Sequence, residues 1–213
     1  MVALSWVERP PSDPEDLCAI FAERRDWYHG AYSASETWGV PASVQMAIIY
    51  QESGFRARIR PRHKLLWILP GPRRSSAYGY AQVLDSTWEQ FRRDTGQRGA
   101  ERHRFEDVTQ FIGWYAGELH RMTGVARSDA YRLYLAYHEG PGGYARGSHR
   151  EKAWLLAAAR QVEARAATYQ RQYDACEDRL QSGWRWRWIA AALLALVAGW
   201  GYRRLRRQSG IRR

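Results

Sequence analysis

The chain has 213 residues and a formal net charge of +11, with 45% hydrophobic and 14% aromatic residues. That length suits one domain of ordinary size with appendages, large enough to bury a core without metals or many disulfides. Residues 184–213 hold eight Arg and no acid, so the rest of the chain is near balance at +3. It has no basic face interleaved with aromatics and no finger or RNA-binding signature, so nucleic acid is not an expected partner.

In chain order the soluble part reads as helices with little strand. Asp13-Pro14 offers a cap and a first-turn proline, and Leu17, Ile20, Phe21 and Trp27 supply the apolar positions of a helix running to about Ser35. Pro41 opens a second helix, PASVQMAIIYQES, which Gly54 stops. The stretch RARIRPRHKLLWILPGPRRSS has no helical period and reads as a long loop or hairpin, a place where function concentrates. AYGYAQV alternates and is rich in aromatics, so it reads as a short strand or extended turn. Three helices follow: DSTWEQFRRDTG; FEDVTQFIGWYAGELHRMTG; and SDAYRLYLAYHEG with its own glycine stop. A long final helix begins at REKAWLL and leads straight into the C-terminal segment. The expected fold class is mainly α, with a small extended or β-hairpin region.

The C-terminal segment reads as a membrane helix over residues 183–203. Trp188 to Tyr202 is uncharged; flanking Arg185 and Arg187 can snorkel, and Trp184, Trp186, Trp200 and Tyr202 suit interfacial belts. The arginines after the span predict a basic cytoplasmic tail over residues 204–213, with the main domain outside. This divides the chain into an N-terminal segment (1–13), a domain (14–182), a span and a tail, with membrane lipid as a partner. The start, MVALSWVERPPSDPEDL, lacks the charged start and apolar stretch of a signal peptide, which leaves the export route open. Cys18 and Cys176 are the two cysteines. Paired, they would suit an oxidising compartment; two buried free thiols are the alternative.

One residue stands out. Glu52 closes the apolar run Met46-Ala47-Ile48-Ile49-Tyr50 in the last turn of its helix. Apolar neighbours and the negative helix end both raise a carboxyl pKa, as a proton donor near neutral pH requires. An exposed helix-end glutamate is the plain alternative. Three blocks, YQESGF, SAYGYAQVLDSTW and YLAYHEGPGGY, resemble the signature blocks of the lytic transglycosylases, which group with goose-type lysozymes in the lysozyme-like superfamily. The resemblance covers about residues 27–169. It implies a helical lysozyme-like domain acting on peptidoglycan glycan strands, with cell-wall machinery as a further partner and no cofactor.

Residue by residue, Glu52 matches the family's catalytic acid, Ser53 the serine after it, Gly79 and Gln82 the second block, and Tyr137 the third. Departures are Tyr78 and Ala81 where methionines are usual, Ser76 for a glycine, and His138-Glu139 for Asn-x; the stretch between the first two blocks also looks long. Tyr78, Tyr80 and Tyr144 are candidate groove walls, each of which could equally be packing. Trp67 could stack on a sugar or rest on the nearby membrane surface. Ser53 could position substrate or cap backbone groups near the helix end, Gln82 could bind sugar amides or a loop, and Tyr137 could reach the Glu52 carboxyl or the departing acetamido, or be core. Glu139 is the tempting second carboxylate, or a groove-shaping residue paired with an arginine such as Arg146.

The resemblance instead implies one carboxylate. The substrate's acetamido group attacks, and the same carboxylate then takes the proton of the sugar's 6-hydroxyl to close a 1,6-anhydro ring. The six histidines show no metal-ligand spacing. The expected protein is a periplasmic lytic transglycosylase tethered to the bacterial inner membrane. A hydrolytic muramidase, an inactive wall-binding scaffold and a membrane-lytic basic tail are the alternatives.

Overall fold

The computed structural model describes residues 9–61, 64–65, 69–70 and 75–209, with side chains described for 9–61 and 75–181. Trp67 lies outside the described residues. The elements are α1 (Leu17–Glu23), α2 (Arg25–Trp38), α3 (Ala42–Ser53), β1 (Lys64–Leu65), β2 (Leu69–Pro70), α4 (Asp85–Thr95), α5 (Phe105–Thr123), α6 (Ala130–Ala145) and α7 (Ala153–Ser209). The chain divides into two units, Met1–Tyr173 and Asp174–Arg213, the second holding the C-terminal part of α7.

The first expected helix is two. Its N-cap is Asp16, whose side chain accepts from the Ala19 amide, rather than Asp13. The chain breaks at Arg24, where φ is −123° and ψ 77°. No glycine or proline marks the break, because its backbone groups are satisfied without one. The Arg24 amide donates to Ile20 O at 2.8 Å, and Arg24 O accepts from the amides of Trp27 and Tyr28. The Arg24 guanidinium, almost fully buried, donates to Arg9 O at 2.8 Å. Helix α2 then continues past Ser35 to Trp38, with Gly39 as its left-handed cap.

Helix α3 is the axis of the core. Every residue from Ala42 to Ile49 is buried, so it has no polar stripe, as expected of a helix enclosed on all sides. The side-chain amide in this buried stretch, Gln45, donates to Ala31 O and Val40 O. Gly54, at φ 58° and ψ 40°, ends α3 and donates to Tyr50 O. Around α3 lie two aromatic clusters. Trp27 stacks on Phe105 with centroids 4.0 Å apart and packs against Phe55 and Tyr80. Phe111 joins Trp88, Phe91, Trp114 and Tyr115.

The long loop holds a minimal antiparallel hairpin, with Lys64 opposite Pro70 and Leu65 opposite Leu69. Of the two readings of AYGYAQV, a short strand or an extended turn, the structure has the turn, closed by an isolated bridge between Tyr78 and Val83. The expected glycine stop at Gly140 is a kink: φ 69° and ψ 165° interrupt α6, which resumes through Pro141 to Ala145. Pro141 can follow the kink because a proline at the first position of a helical turn gives up no needed N–H.

Both cysteines are disulfide-bonded and neither is free. The expected membrane span over residues 183–203 has helical backbone within α7, but its side chains lie outside the described residues. Among the described residues no helix is long and apolar enough to cross a membrane.

Helices α2 and α5 approach closely where α5 carries glycine. A Cβ on Gly113 would lie 2.4 Å from Cδ1 of Trp38, whereas one on Gly117, a turn later, would meet only the tip of Arg127 at 3.9 Å. The two substitutions should therefore differ in sign. Gly113→Ala is expected to destabilise by about 1–3 kcal/mol through overpacking, and Gly117→Ala to stabilise by up to about 1 kcal/mol through helix propensity. Thermal melts of the two variants check this; equal shifts would contradict the close approach.

Candidate active site

The end of α3 brings Glu52 to a place that is enclosed yet reachable. The residue is half-buried, and the loss of water around its carboxyl pushes the pKa up to about 7, although a hydrogen bond from Tyr134 pulls the other way. Tyr134 is itself buried on α6. Burial first, then the neighbouring Glu52 charge, raises its own pKa, so the phenol stays protonated as a donor. A carboxyl near pKa 7 can hold a proton at neutral pH and also exist as its conjugate base.

The three sequence blocks converge through backbone-directed hydrogen bonds. Tyr137, one turn beyond Tyr134 on α6, donates from its hydroxyl to Ala81 O at 2.8 Å. The Gly79 amide and the Gln82 Nε2 both donate to Ile59 O, and Nε2 also donates to Gly79 O at 2.8 Å. So α6 holds the second block, and the second block holds the chain that leaves Glu52. Gly79 is required by space and by conformation. Its φ is 83°, and a Cβ there would lie 2.0 Å from Arg102 O. Arg102 fastens the turn from outside, donating to Ser76 O and Val83 O and pairing with Asp85 at 2.6 Å.

Several expected site residues take other places. Ser53 is buried, with its hydroxyl on Ile49 O at 3.0 Å, and so secures the helix end. Tyr80 is a core ring, 2% exposed and packed edge-on to Trp27 and Phe105. Tyr78 remains half-exposed, with the Arg60 guanidinium 4.1 Å from its ring centre and Arg102 at 5.3 Å. Tyr144 is stacked on His149 with centroids 4.9 Å apart.

Glu139 does not pair with Arg146. Lys152 Nζ contacts both its oxygens, at 2.7 and 2.9 Å, and Ser148 and His138 also hydrogen-bond to it. Burial alone would raise its pKa, but these bonds outweigh that and hold it at about 2. It is therefore an ionised, ion-paired carboxylate with no proton to give near neutral pH. The influences on Glu52 are burial and Tyr134, and Glu139 is not among them.

The sequence offered Tyr137 as one candidate contact of the Glu52 carboxyl and did not bring out Tyr134, which makes the hydrogen bond. The signal was the spacing of the two tyrosines, three apart and so on one helix face. Tyr115 was missed as well; its ring lies 5.5 Å from Tyr137, and burial raises its pKa. Glu52 thus faces a group of neutral phenols rather than another acid.

With that arrangement in view, the comparison with known families is decisive. The family described as the transglycosylase SLT domain matches residues 1–176. The chain belongs to that family. An SLT domain indicates a peptidoglycan transglycosylase type of function, with peptidoglycan as the bound substrate. No curated protein matches the chain.

The raised pKa of Glu52 ties stability to pH with a definite sign. Below the ordinary value of 4.5 both folded and unfolded chains hold the proton; from there to about 7 only the folded chain does, so stability falls as pH rises. Above about 7 the folded SLT domain carries the full cost of a buried charge. Glu52→Gln removes that cost. The variant should be more stable than the wild type at pH 8 by up to about 3 kcal/mol, and nearly equal at pH 4. Denaturant melts at both pH values test this, and a gap independent of pH would contradict it.

Proposed function

We propose that this SLT-domain protein is a lytic transglycosylase that cleaves the β-1,4 bond between N-acetylmuramic acid and N-acetylglucosamine, with Glu52 as its single general acid and base. The observation that carries the reading is the isolation of Glu52: a desolvated carboxyl poised at about 7, hydrogen-bonded by a neutral tyrosine, with the candidate second carboxylate, Glu139, tied to Lys152.

The chemistry follows in two stages. Glu52 gives its proton to the glycosidic oxygen as that bond to C1 breaks. The departing charge on the sugar is met by the acetamido oxygen of the same residue, which bonds to C1. Glu52, now a carboxylate in a poorly solvated place, is a stronger base than an exposed one. It takes the proton of the 6-hydroxyl, O6 bonds to C1, and the acetamido oxygen is released. The proton count closes and no water is consumed. Tyr134 supports the carboxylate between the stages by donating to it, an interaction that strengthens as charge develops.

The proposal extends to location. Its substrate lies outside the cytoplasm, and two disulfide-bonded cysteines suit an oxidising compartment. A tether to the bacterial inner membrane rests on sequence: the uncharged run from Trp188 to Tyr202 between basic flanks. The SLT domain would then work on the periplasmic side, close to its anchor.

Digestion of purified peptidoglycan followed by mass spectrometry should yield muropeptides ending in 1,6-anhydro-N-acetylmuramic acid. Reducing ends alone would make the protein a hydrolase. Glu52→Gln should slow release by about 10²–10⁴-fold. Wild-type turnover should fall as pH rises past about 7, where the acid form is lost. Tyr134→Phe should move that alkaline limb to higher pH, since the lost hydrogen bond favours the ionised form; an unmoved limb would separate Tyr134 from the acid.

A further inference from the structure

Between Glu52 and Asp85 the chain has no acidic residue and seven Arg or Lys. Two of them, Arg56 and Arg60, line a pocket of about 480 Å³ together with Ile59, Pro61 and Gln82. Neither arginine has a carboxylate partner among the described residues, whereas Arg102 has Asp85 and Arg165 has Glu15. Two like charges sharing one pocket, with no counter-ion among the described residues, favour an anionic occupant.

Both arginines are held in place. Nε of Arg56 donates to Ser53 O at 2.8 Å, which fixes the side chain at the end of the helix that carries Glu52. The Arg60 guanidinium lies 4.1 Å from the ring centre of Tyr78, a cation–π contact that restrains it. The third polar member is also set. Gln82 adopts φ 48°, an uncommon left-handed backbone for a residue with a side chain. Its amide nitrogen is engaged by Ile59 O and Gly79 O, so what Gln82 can offer a ligand is its carbonyl oxygen, an acceptor for an N–H group.

The pocket is thus built from the residues that directly follow Glu52 and from the second family block. Guanidinium groups bind planar carboxylates by paired hydrogen bonds. A peptidoglycan strand differs from a neutral polysaccharide in carrying a lactyl arm on every muramic acid, ending either in a free carboxylate or in an amide-linked peptide with carboxylates of its own. We propose that Arg56 and Arg60 bind a carboxylate carried on that arm, with Gln82 Oε1 accepting from an adjoining N–H, so that this pocket selects acidic muramyl substituents next to the bond Glu52 cleaves. The inference rests on the reading of the chain as a muramyl-cleaving enzyme for the identity of the ligand, but not on catalysis.

The test is binding to the full-length Glu52→Gln protein, which does not consume the ligand. Calorimetric titrations use three soluble probes: a disaccharide-peptide with free stem carboxylates, the same compound with those carboxylates amidated, and the peptide-free disaccharide with its lactyl carboxylate. Amidation should weaken binding about tenfold or more, and Arg56→Gln/Arg60→Gln should weaken binding of the acidic probe by the same factor while ignoring amidation. Arg56→Lys/Arg60→Lys, which keeps the charge but not the paired geometry, should recover part of the loss. If the peptide-free disaccharide binds more tightly than both stem probes, and these bind alike, the lactyl carboxylate is the group; if it binds like the amidated probe while the acidic probe binds tightly, the stem carboxylate is.

Equal affinity for acidic and amidated stem probes, together with weak binding of the lactyl form, would overturn the proposal. So would undiminished binding by a Gln double variant that melts like its parent. Failure of the wild type to release anhydro products while these differences persist would remove the transglycosylase reading and leave the carboxylate pocket standing.

Discussion

The structure turns on the cost of ionising one carboxyl in a place poor in water. Glu52 can be held there only because α3 is enclosed on every side from Ala42 to Ile49 and because Gly54 ends it one residue after Ser53. A continuous apolar run carries the helix through the core and leaves its last turn at the edge. The same enclosure that builds the core therefore sets the proton affinity of the acid. Tyr134 moderates the effect without reversing it.

Around that acid, the SLT domain uses neutral groups and backbone carbonyls rather than charges. Tyr137 reaches Ala81 O, and Gln82 reaches Ile59 O and Gly79 O. Two acids of the neighbouring blocks are held in ion pairs, Glu139 with Lys152 and Asp85 with Arg102, and no charged group is among the influences on Glu52. An ion close to Glu52 would shift its titration by direct Coulomb interaction. Placing only phenols there leaves burial as the dominant influence. The arginines of the neighbouring pocket then have a separate task, consistent with their lack of acidic partners among the described residues.

Much of this was legible in the residues, for reasons that can be named. Glu52 was visible because a carboxylate closing an apolar helical run is unusual, and Gly54 because a glycine after a periodic segment reads as a helix stop. The break at Arg24 was not visible, since its backbone groups are satisfied by Ile20, Trp27 and Tyr28 without the glycine or proline that would otherwise mark it. Gly140 read as an end because the sequence pattern does not distinguish a kink followed by Pro141 from a stop. Tyr134 was hidden inside LYLAY, where it serves the apolar period as well as a leucine would. Lys152 lies 13 residues beyond Glu139, and only the fold of the segment between them makes it a closer partner than Arg146.

The most direct test is the titration of the Glu52 carboxyl itself, followed by carbon-detected NMR on the SLT domain with labelled glutamate and assigned by its absence in Glu52→Gln. The account predicts a midpoint of about 7 for this one carboxyl, with Glu139 remaining ionised throughout the neutral range. A Glu52 midpoint near that of ordinary exposed glutamates would mean that water reaches it freely, and the single-acid account would fall.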